Sequence, residues 1–209
     1  MIELIPFKAG LVLRARLLEA ASQLFSLYGY EHVSVRQIAQ AAGCSQMAMY
    51  RHFPDKQALF SHLCMELYRK FTRDLHEQYD YLEAPGERIR MALRGFIALS
   101  AENPHHYRLI FLDSAPSEEV RAMRLEASAP TIGYIRENLR LAFPAEVSEQ
   151  LLDERLHLIL ALVHGITVML VLHGSNYGMN LETALQRFDA GYRMLLAAPT
   201  APEATFPER

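Results

Sequence analysis

Apolar residues recur every three to four positions along most of the chain, the spacing that places them on one face of a helix. In the first such segment, from about residue 9 onward, they are Leu17, Ala21, Leu24, Phe25 and Tyr28. Strand-like alternation is scarce, and β-hairpin signals do not separate the apolar runs. The pattern therefore predicts an all-α fold.

Capping residues divide the first 81 positions into four predicted helices. Gly29 ends the first helix as a C-terminal cap. Ser34 and Ser45 are predicted N-caps of two short helices. Asp55 caps a fourth helix, which is predicted to continue without a break to about Tyr81.

Five further helices are predicted beyond a Pro-Gly turn at residues 85–86, at about 87–102, 105–112, 117–143, 147–173 and 181–197. Pro130 is expected to kink or split the third of these helices. Gly174, Asn176 and Gly178 are expected to form the turn that follows the fourth. The proline-containing tail from residue 198 is expected to be frayed.

Charge is distributed unevenly along the chain, in a way that suits a protein with one end that faces an anion. The net charge is −3, but residues 1–60 hold six basic and four acidic residues, and the rest is acidic. Apolar residues make up 51% of the chain, enough for a sizeable core. Cys44 and Cys64 form no disulfide framework or metal pattern and are predicted to be buried.

Nothing in the sequence indicates export or membrane insertion. The first residues lack the pattern of a secretory signal. The most apolar stretch, residues 156–172, is interrupted by His157, His164 and Gly165 and is short for a bilayer span. We therefore expect a cytoplasmic protein without a membrane partner, in which this stretch is a core or interface helix.

Residues 42–44 join the two short helices in the arrangement of a helix-turn-helix. Gly43 supplies the positive φ that the turn requires. Ile38, Ala39, Cys44 and Met49 are spaced to hold the two helices together. The N-terminal end of the second helix then points outward, and this end enters the major groove in such motifs.

The segment from Ala15 to Leu63 closely resembles the tetracycline-repressor (TetR) family of transcriptional regulators. The matching positions are Phe25…Gly29-Tyr30, Ser34-Val35-Arg36-Gln37-Ile38-Ala39, Ala42-Gly43-Cys44-Ser45, Tyr50-Arg51-His52-Phe53 and Lys56…Leu59. The resemblance implies a DNA-binding domain over residues 9–60, a ligand-binding and dimerisation domain over 61–197 and a flexible tail over 198–209. It also implies a repressor that a small molecule releases from DNA.

Ten residues are predicted to contact DNA. Serine, tyrosine and histidine side chains can donate hydrogen bonds to phosphate oxygens, and Gln46 can bond adenine through two hydrogen bonds. Lys56 is expected to contact phosphate, and Arg36 either DNA or a surface ion-pair partner. Met47 stands where the family usually has glycine and could touch a thymine methyl. The full set is Ser34, Arg36, Ser45, Gln46, Met47, Ala48, Tyr50, Arg51, His52 and Lys56.

The resemblance further implies a homodimer in which the last two long helices of each protomer form a four-helix bundle. Such a pair would read a palindromic operator with half-sites about 34–36 Å apart, or a multiple of that. The apolar residues that favour this interface are Leu156, Ile159, Leu160, Val163, Thr167, Leu170, Val171, Leu181, Leu185, Phe188, Tyr192 and Leu195.

Two stretches in the C-terminal part, residues 102–111 and 162–165, resemble a TetR subgroup named for a Trp-His-Gly signature, although the chain has no tryptophan. A sensor needs a mostly apolar pocket with a few polar groups. For a small apolar or amphipathic ligand the candidates are Phe96, Ser100, Tyr107, Phe111, Met123, Tyr134, His164 and Met169. Each of these residues could equally be ordinary core packing, and His164 is the most distinctive.

No cofactor, metal or catalytic activity is predicted. His105, His106, His157, His164 and Asp113 are the candidate metal ligands, but their spacing lacks the pattern of a metal site. The chain contains no Gly-x-Ser-x-Gly nucleophile motif, no P-loop, no Gly-x-Gly-x-x-Gly dinucleotide motif and no His-Glu-x-x-His motif. Two alternatives to a ligand-controlled repressor stay open: a DNA-binding regulator without small-molecule control and, more remotely, an all-helical enzyme.

Overall fold

The computed structural model describes residues 5–72, 75–112, 117–144 and 147–197, and these ranges contain helices and no strand. The all-α prediction is therefore confirmed. The predicted tail from residue 198 lies outside the described residues. The helices are α1 Ile5–Tyr28, α2 Val35–Ala41, α3 Gln46–Tyr50, α4 Lys56–Thr72, α5 Leu75–Tyr79, α6 Pro85–Glu102, α7 Pro104–Tyr107, α8 Glu118–Ala142, α9 Glu149–Tyr177 and α10 Leu181–Leu196, with a π-helical turn at Arg108–Leu112.

The predicted caps are confirmed. The Ser34 side chain accepts from the backbone N–H of Gln37, whose own side chain accepts from the Ser34 N–H at 2.8 Å, a complete capping box. Asp55 Oδ1 accepts from the Ala58 N–H at 2.7 Å. Gly29 has a φ of 80°, as a left-handed C-terminal cap requires. Short polar side chains therefore set the starts of α2 and α4.

One compact unit comprises the described residues among Met1–Asp74 and Glu102–Ile132. Its core is aromatic at the centre, where the rings of Phe25 and Phe60 meet edge to face at 5.6 Å between centroids. Leu63 and Cys64, which lie beyond the predicted domain boundary at residue 60, belong to the same buried cluster. The compact unit therefore extends further along α4 than the predicted DNA-binding domain.

The second unit comprises the described residues among Leu75–Ala101 and Gly133–Arg209. In this unit α9 packs against α10. Ion pairs and a hydrogen bond join α10 to α6. Asp189 accepts from Arg94 at 2.6 Å and from Arg90 at 3.2 Å. The buried Tyr192 hydroxyl donates to the carbonyl oxygen of Gly86 at 2.8 Å.

The helix predicted to run from residue 55 to 81 is described in two parts, and its continuity between them stays a prediction. The structure gives α4, which ends at Thr72, and α5, which begins at Leu75; residues 73 and 74 lie outside the described ranges. The second helix has its own anchor, because Leu75 is buried in a small cluster with Ala92 and Tyr134. Apolar spacing alone did not reveal that the two helices belong to different cores.

Two predicted helix interruptions also need correction. Pro130 does not split α8, which runs through it; proline removes one backbone donor, and the helix continues on both sides. α9 passes through Gly174 and ends at Tyr177. The left-handed cap is Gly178, with a φ of 57° and its N–H donating to the Gly174 carbonyl. The helix therefore ends four residues later than predicted, and its cap, Gly178, is one of the three residues expected to form the turn.

α9 contains the most apolar stretch of the chain. Its most apolar 18-residue window has a mean hydropathy of 2.1 and is 22% buried, so by length and composition alone it could cross a membrane. Several residues predicted for the dimer interface instead fill the protomer's own core, since that is where their side chains point. These are Leu156, Ile159, Val163, Thr167, Phe188 and Tyr192.

Candidate nucleic-acid interface

The turn between α2 and α3 has the backbone that the sequence predicts. Gly43 has a φ of 65°, in the left-handed region that favours glycine. The Cys44 N–H donates to the Ala39 carbonyl at 2.9 Å and closes the turn. Ser45 then accepts from the Ala48 N–H at 3.1 Å and starts α3. A backbone hydrogen bond and a side-chain cap therefore fix the turn between the two helices.

The inner side of this motif is apolar and tightly buried. Ile38, Met49 and Phe53 are all buried, as predicted. Cys44 is half-buried and lies in the turn, so its predicted full burial is wrong, whereas Cys64 is buried. Burial raises the pKa of the Cys64 thiol to about 11, which keeps it protonated and apolar at neutral pH.

The outer side of α3 is open. Gln46 is exposed, Met47 is 69% exposed and Tyr50 is 46% exposed. Because Met49 on the same helix is buried, the helix has one face in the core and one in solvent. Of the other predicted contacts, four are exposed and three are half-buried. The exposed residues are Ser34, Arg36, Ser45 and Arg51, and the half-buried residues are Ala48, His52 and Lys56.

Lys56, at the first position of α4, has a structural partner that the sequence did not reveal. Its ammonium donates to the carbonyl oxygen of Tyr30 at 3.0 Å and lies 4.1 Å from the centre of the Tyr30 ring. Burial, and then the charges of Glu31 and Asp55, raise the pKa of the Tyr30 hydroxyl. An ammonium has three N–H donors, so the bond to Tyr30 leaves donors for a second acceptor.

A charged cluster behind the motif was also missed. The Arg14 guanidinium lies 5.3 Å from the centre of the Phe53 ring and contacts His62, and Glu66 lies 3.0 Å from His62. Arg16 lies against Gly43, in the space that a side chain at that position would fill. Arg14 and Arg16 are tens of positions away from the residues they contact, so no local pattern could have linked them.

The eight predicted pocket residues fall in both units. In the second unit the rings of Phe96 and His164 meet edge to face at 5.4 Å, and the Ser100 hydroxyl donates to the Phe96 carbonyl at 2.7 Å. Burial lowers the pKa of His164. Tyr134 donates to Asp80 at 3.1 Å. Met169 is half-buried.

The other three predicted pocket residues lie in the first unit. The rings of Tyr107 and Phe111 are 5.2 Å apart, and Met123 packs against the buried cluster. An open groove of about 540 Å³ in this unit runs along α1 and contains none of the eight. Ser22 and His106 line it, with Ser22 Oγ 2.5 Å from His106 Nε2. The pocket assignment therefore stays a prediction.

The described side chains contain no group of three or more histidine, cysteine, aspartate or glutamate residues that could hold a metal ion. Two of the candidate metal ligands named from the sequence, Asp113 and the side chain of His105, lie outside what the structure describes.

A glycine turn, a capped second helix and an exposed outer face, within an all-helical chain, define the class of helix-turn-helix proteins. Residues 17–63 match the family described as bacterial regulatory proteins, tetR family. The helix-turn-helix segment of this chain is therefore of the TetR-family type. Whether its C-terminal part belongs to the Trp-His-Gly subgroup stays a prediction.

Relatives agree with this placement. The chain is 34% identical over 102 residues to the nucleoid occlusion factor SlmA of Vibrio vulnificus (strain YJ016), covering 46% of this chain and 50% of that protein. It is 34% identical over 89 residues to the HTH-type transcriptional repressor KstR2 of Rhodococcus jostii (strain RHA1), covering 43% and 42%. The matches thus span half or less of these curated relatives.

The fold of almost the whole chain has a counterpart among solved structures. FadR of Thermus thermophilus, a TetR-family transcriptional repressor solved in complex with lauroyl-CoA, superimposes with a TM-score of 0.63 at 20% identity. The match covers 94% of this chain and 100% of that chain. At this identity the likeness shows the fold.

Proposed function

We propose that this protein is a sequence-specific DNA-binding transcriptional regulator, acting as a homodimeric repressor that a small molecule releases from its operator. The observation that carries the proposal is the outer face of α3, where Gln46, Met47 and Tyr50 are exposed while Met49 is buried. The helix packs against the core on one side and is exposed to solvent on the other. This arrangement suits insertion into a major groove.

Contacts to DNA divide into two kinds. Ser34, Tyr50, His52 and Lys56 carry side-chain donors suited to phosphate oxygens, and such contacts position the motif without reading sequence. Gln46 carries an amide that can bond adenine N6 and N7 together. The exposed position of Gln46 supports the base-reading role, and the remaining donors of Lys56 support the phosphate role.

Dimerisation follows from the apolar surface that one protomer leaves exposed. Leu158 on α9 is 50% exposed, and Leu172 on α9 and Met194 on α10 are also exposed. The most apolar window of α9 is only 22% buried, so much of its apolar surface faces outward, which is typical of an interaction site. We propose that a second copy covers it, so that two α3 helices face one palindromic operator, and that the protein is cytoplasmic.

The ligand is proposed to be a small apolar or amphipathic molecule bound by the C-terminal domain. A neighbour in fold was solved with lauroyl-CoA, so long-chain acyl-CoA is the first class to test. α4 is the proposed mechanical link, because it carries Lys56 at its start and, further along, Tyr68, whose ring lies 5.6 Å from the ring of the predicted pocket residue Phe111. Coupling of this kind is typically about 1–3 kcal/mol.

A second function is a DNA-binding regulator that no small molecule controls. The similarity to a nucleoid occlusion factor over 102 residues favours it. Both functions need the same α3 surface and differ only in the response to ligand. Neither assigns catalysis to the chain.

The test is selection of bound duplexes from a random pool by the purified full-length protein. We expect a palindrome, and an affinity for it that falls as salt rises, because phosphate contacts release counterions. Gln46→Ala should weaken binding and relax one position of the site, whereas Gln23→Ala, an exposed amide on α1, should change neither. Failure to bind any duplex at low salt would refute the proposal.

Ligand control is tested on the selected operator. Titration with lauroyl-CoA and with lauric acid should release the DNA, with coenzyme A alone as the control for the headgroup. Release by lauroyl-CoA or by lauric acid, but not by coenzyme A alone, supports a repressor controlled by an acyl ligand. If none of the three alters binding, acyl-CoA is excluded as the ligand class and the regulator without small-molecule control is favoured.

A further inference from the structure

Met47 is an exposed apolar side chain on the surface that faces DNA in the proposed function. It is 69% exposed, whereas Met49, two residues later on the same short helix, is 0% exposed. The two methionines therefore point in opposite directions. Only Met49 contributes to the core.

The fold itself gives no reason for methionine at position 47. Ser45 caps the start of α3, and Met49 anchors its inner side. Helix propensity does not require methionine, since glutamine, glutamate, lysine and arginine serve a helix about equally well. A contact with a partner therefore explains this exposed apolar side chain better than a contribution to the stability of the fold.

The position of Met47 limits what that contact can be. It is the second residue of α3, beside Gln46 and near the end that enters the major groove in this motif. Tyr50 lies three residues later, on the same side of the helix, and is also exposed. The side of α3 that carries these two exposed side chains is therefore partly apolar. The one apolar group that base pairs show in the major groove is the thymine C5-methyl.

We propose that Met47 reads a thymine by burying its methyl group, so that the operator half-site carries a thymine at the position facing residue 47. The inference rests on the proposed function and adds a base identity to it. An unbranched thioether side chain adapts its shape to a methyl group without a fixed geometry. The contact is apolar, so it contributes discrimination that does not depend on salt.

The experiment replaces each thymine of the selected palindrome by deoxyuridine, which pairs identically and lacks only the methyl group. Burial of one such group is worth about 0.8 kcal/mol, which corresponds to a roughly four-fold change in Kd. We expect one thymine per half-site to show that loss, and symmetric replacement in both half-sites to show about the square of it. The probe is the deoxyuridine duplex itself, measured by fluorescence anisotropy.

Two variants separate the contact from general effects on the protein. Met47→Ala keeps a strong helix former and should bind the thymine and deoxyuridine duplexes equally. Leu27→Ala, which truncates an exposed apolar residue on α1, should keep the wild-type discrimination. Circular dichroism checks that both variants are folded.

Every outcome decides the proposal. A thymine whose replacement weakens wild-type binding but not Met47→Ala binding supports it. A half-site without thymine, thymines that are all insensitive to replacement, or discrimination that persists in Met47→Ala would overturn it while leaving DNA binding intact. Failure to bind any duplex would instead refute the proposed function, and this inference with it.

Discussion

The ammonium of Lys56 donates to the carbonyl oxygen of Tyr30 at 3.0 Å and lies 4.1 Å from the centre of the same residue's ring. This pair ties the start of α4 to the loop that follows α1. A net hydrogen bond contributes about 1 kcal/mol, and a partly exposed cation–π contact about 0.5–1 kcal/mol. Lys56 therefore has a structural role in addition to its proposed contact with phosphate.

Lys56→Met should reveal both roles. It keeps the aliphatic stem and removes the charge, so we expect the free energy of unfolding to fall by about 1–2 kcal/mol. Affinity should fall for all DNA sequences alike, and the slope of log K against log salt should flatten by about 0.9 for each phosphate that the protein no longer neutralises. Denaturant titration and anisotropy at several salt concentrations measure the two effects.

Arg69→Met, which removes an exposed charge from the same helix, is the control. It should leave both stability and affinity close to wild type. If Lys56→Met lowers stability but leaves the salt slope unchanged, the lysine is structural only and its phosphate contact is wrong.

Gly43→Ala tests whether the turn depends on glycine. The φ of 65° is unfavourable for any residue with a Cβ, and the added atom would meet the Arg16 guanidinium. We expect a loss of at least about 1 kcal/mol in stability and a large loss of DNA affinity, because the relative orientation of α2 and α3 depends on this turn. Thermal unfolding and DNA titration are the measurements.

Gly133→Ala is the matched control, because this glycine lies inside α8 and a Cβ added to it would meet nothing within 4 Å. Alanine is the better helix former, so stability should rise by about 0.5–1 kcal/mol. Equal losses from both substitutions would contradict the conformational argument. The double variant Arg16→Ala with Gly43→Ala should stay destabilised, since it relieves only the steric clash.

The local features of the DNA-binding motif were predictable from sequence. Ser34, Ser45 and Asp55 cap helices through contacts three residues away, and Gly43 acts through its own backbone. Contacts between distant residues were not predictable. Lys56 and Tyr30 are 26 residues apart, and Arg14 and Glu66 are 52 apart. Their pairing depends on how α1 and α4 pack, which apolar periodicity does not specify.

The same reason explains the errors in the C-terminal half. Leu156 and Ile159 were predicted to face a partner, but they are buried in the protomer. Periodicity shows that a helix has an apolar face and does not tell which neighbour covers it. On a helix that is apolar nearly all round, as α9 is, the core-facing and outward-facing residues can be separated only by the fold.

His164 should make the stability of the protein depend on pH. Burial lowers its pKa below the ordinary value of 6.5. The unfolded chain therefore binds a proton more readily than the folded protein, and stability is lost as the pH falls below about 6.5. It should level off once the pH is below the folded pKa as well.

The measurement is the urea midpoint of wild type and of His164→Gln at a series of pH values from about 7.5 downward, a range that spans the ordinary histidine pKa. Glutamine does not titrate, so the variant should lose less stability over the acidic part of the series. His157→Gln, which replaces an exposed histidine on the same helix, should follow the wild-type profile. Parallel profiles for wild type and His164→Gln would contradict the role of burial.

The exposed side of α9 should set the oligomeric state. Leu158 is 50% exposed in the protomer, and in the proposed dimer a second copy covers it. Leu158→Glu would place two like charges in an apolar contact, which is unfavourable unless they are paired. We expect the dimer dissociation constant to rise at least ~10-fold, equivalent to about 1.4 kcal/mol. Operator affinity should fall with it, because each monomer then binds one half-site alone.

Light scattering coupled to gel filtration measures the mass, and Leu27→Glu, a change at another exposed leucine on α1, should leave the dimer intact. A Leu158→Glu protein that stays dimeric, or a wild type that is monomeric or needs detergent to stay in solution, would show that something other than a second copy covers this surface.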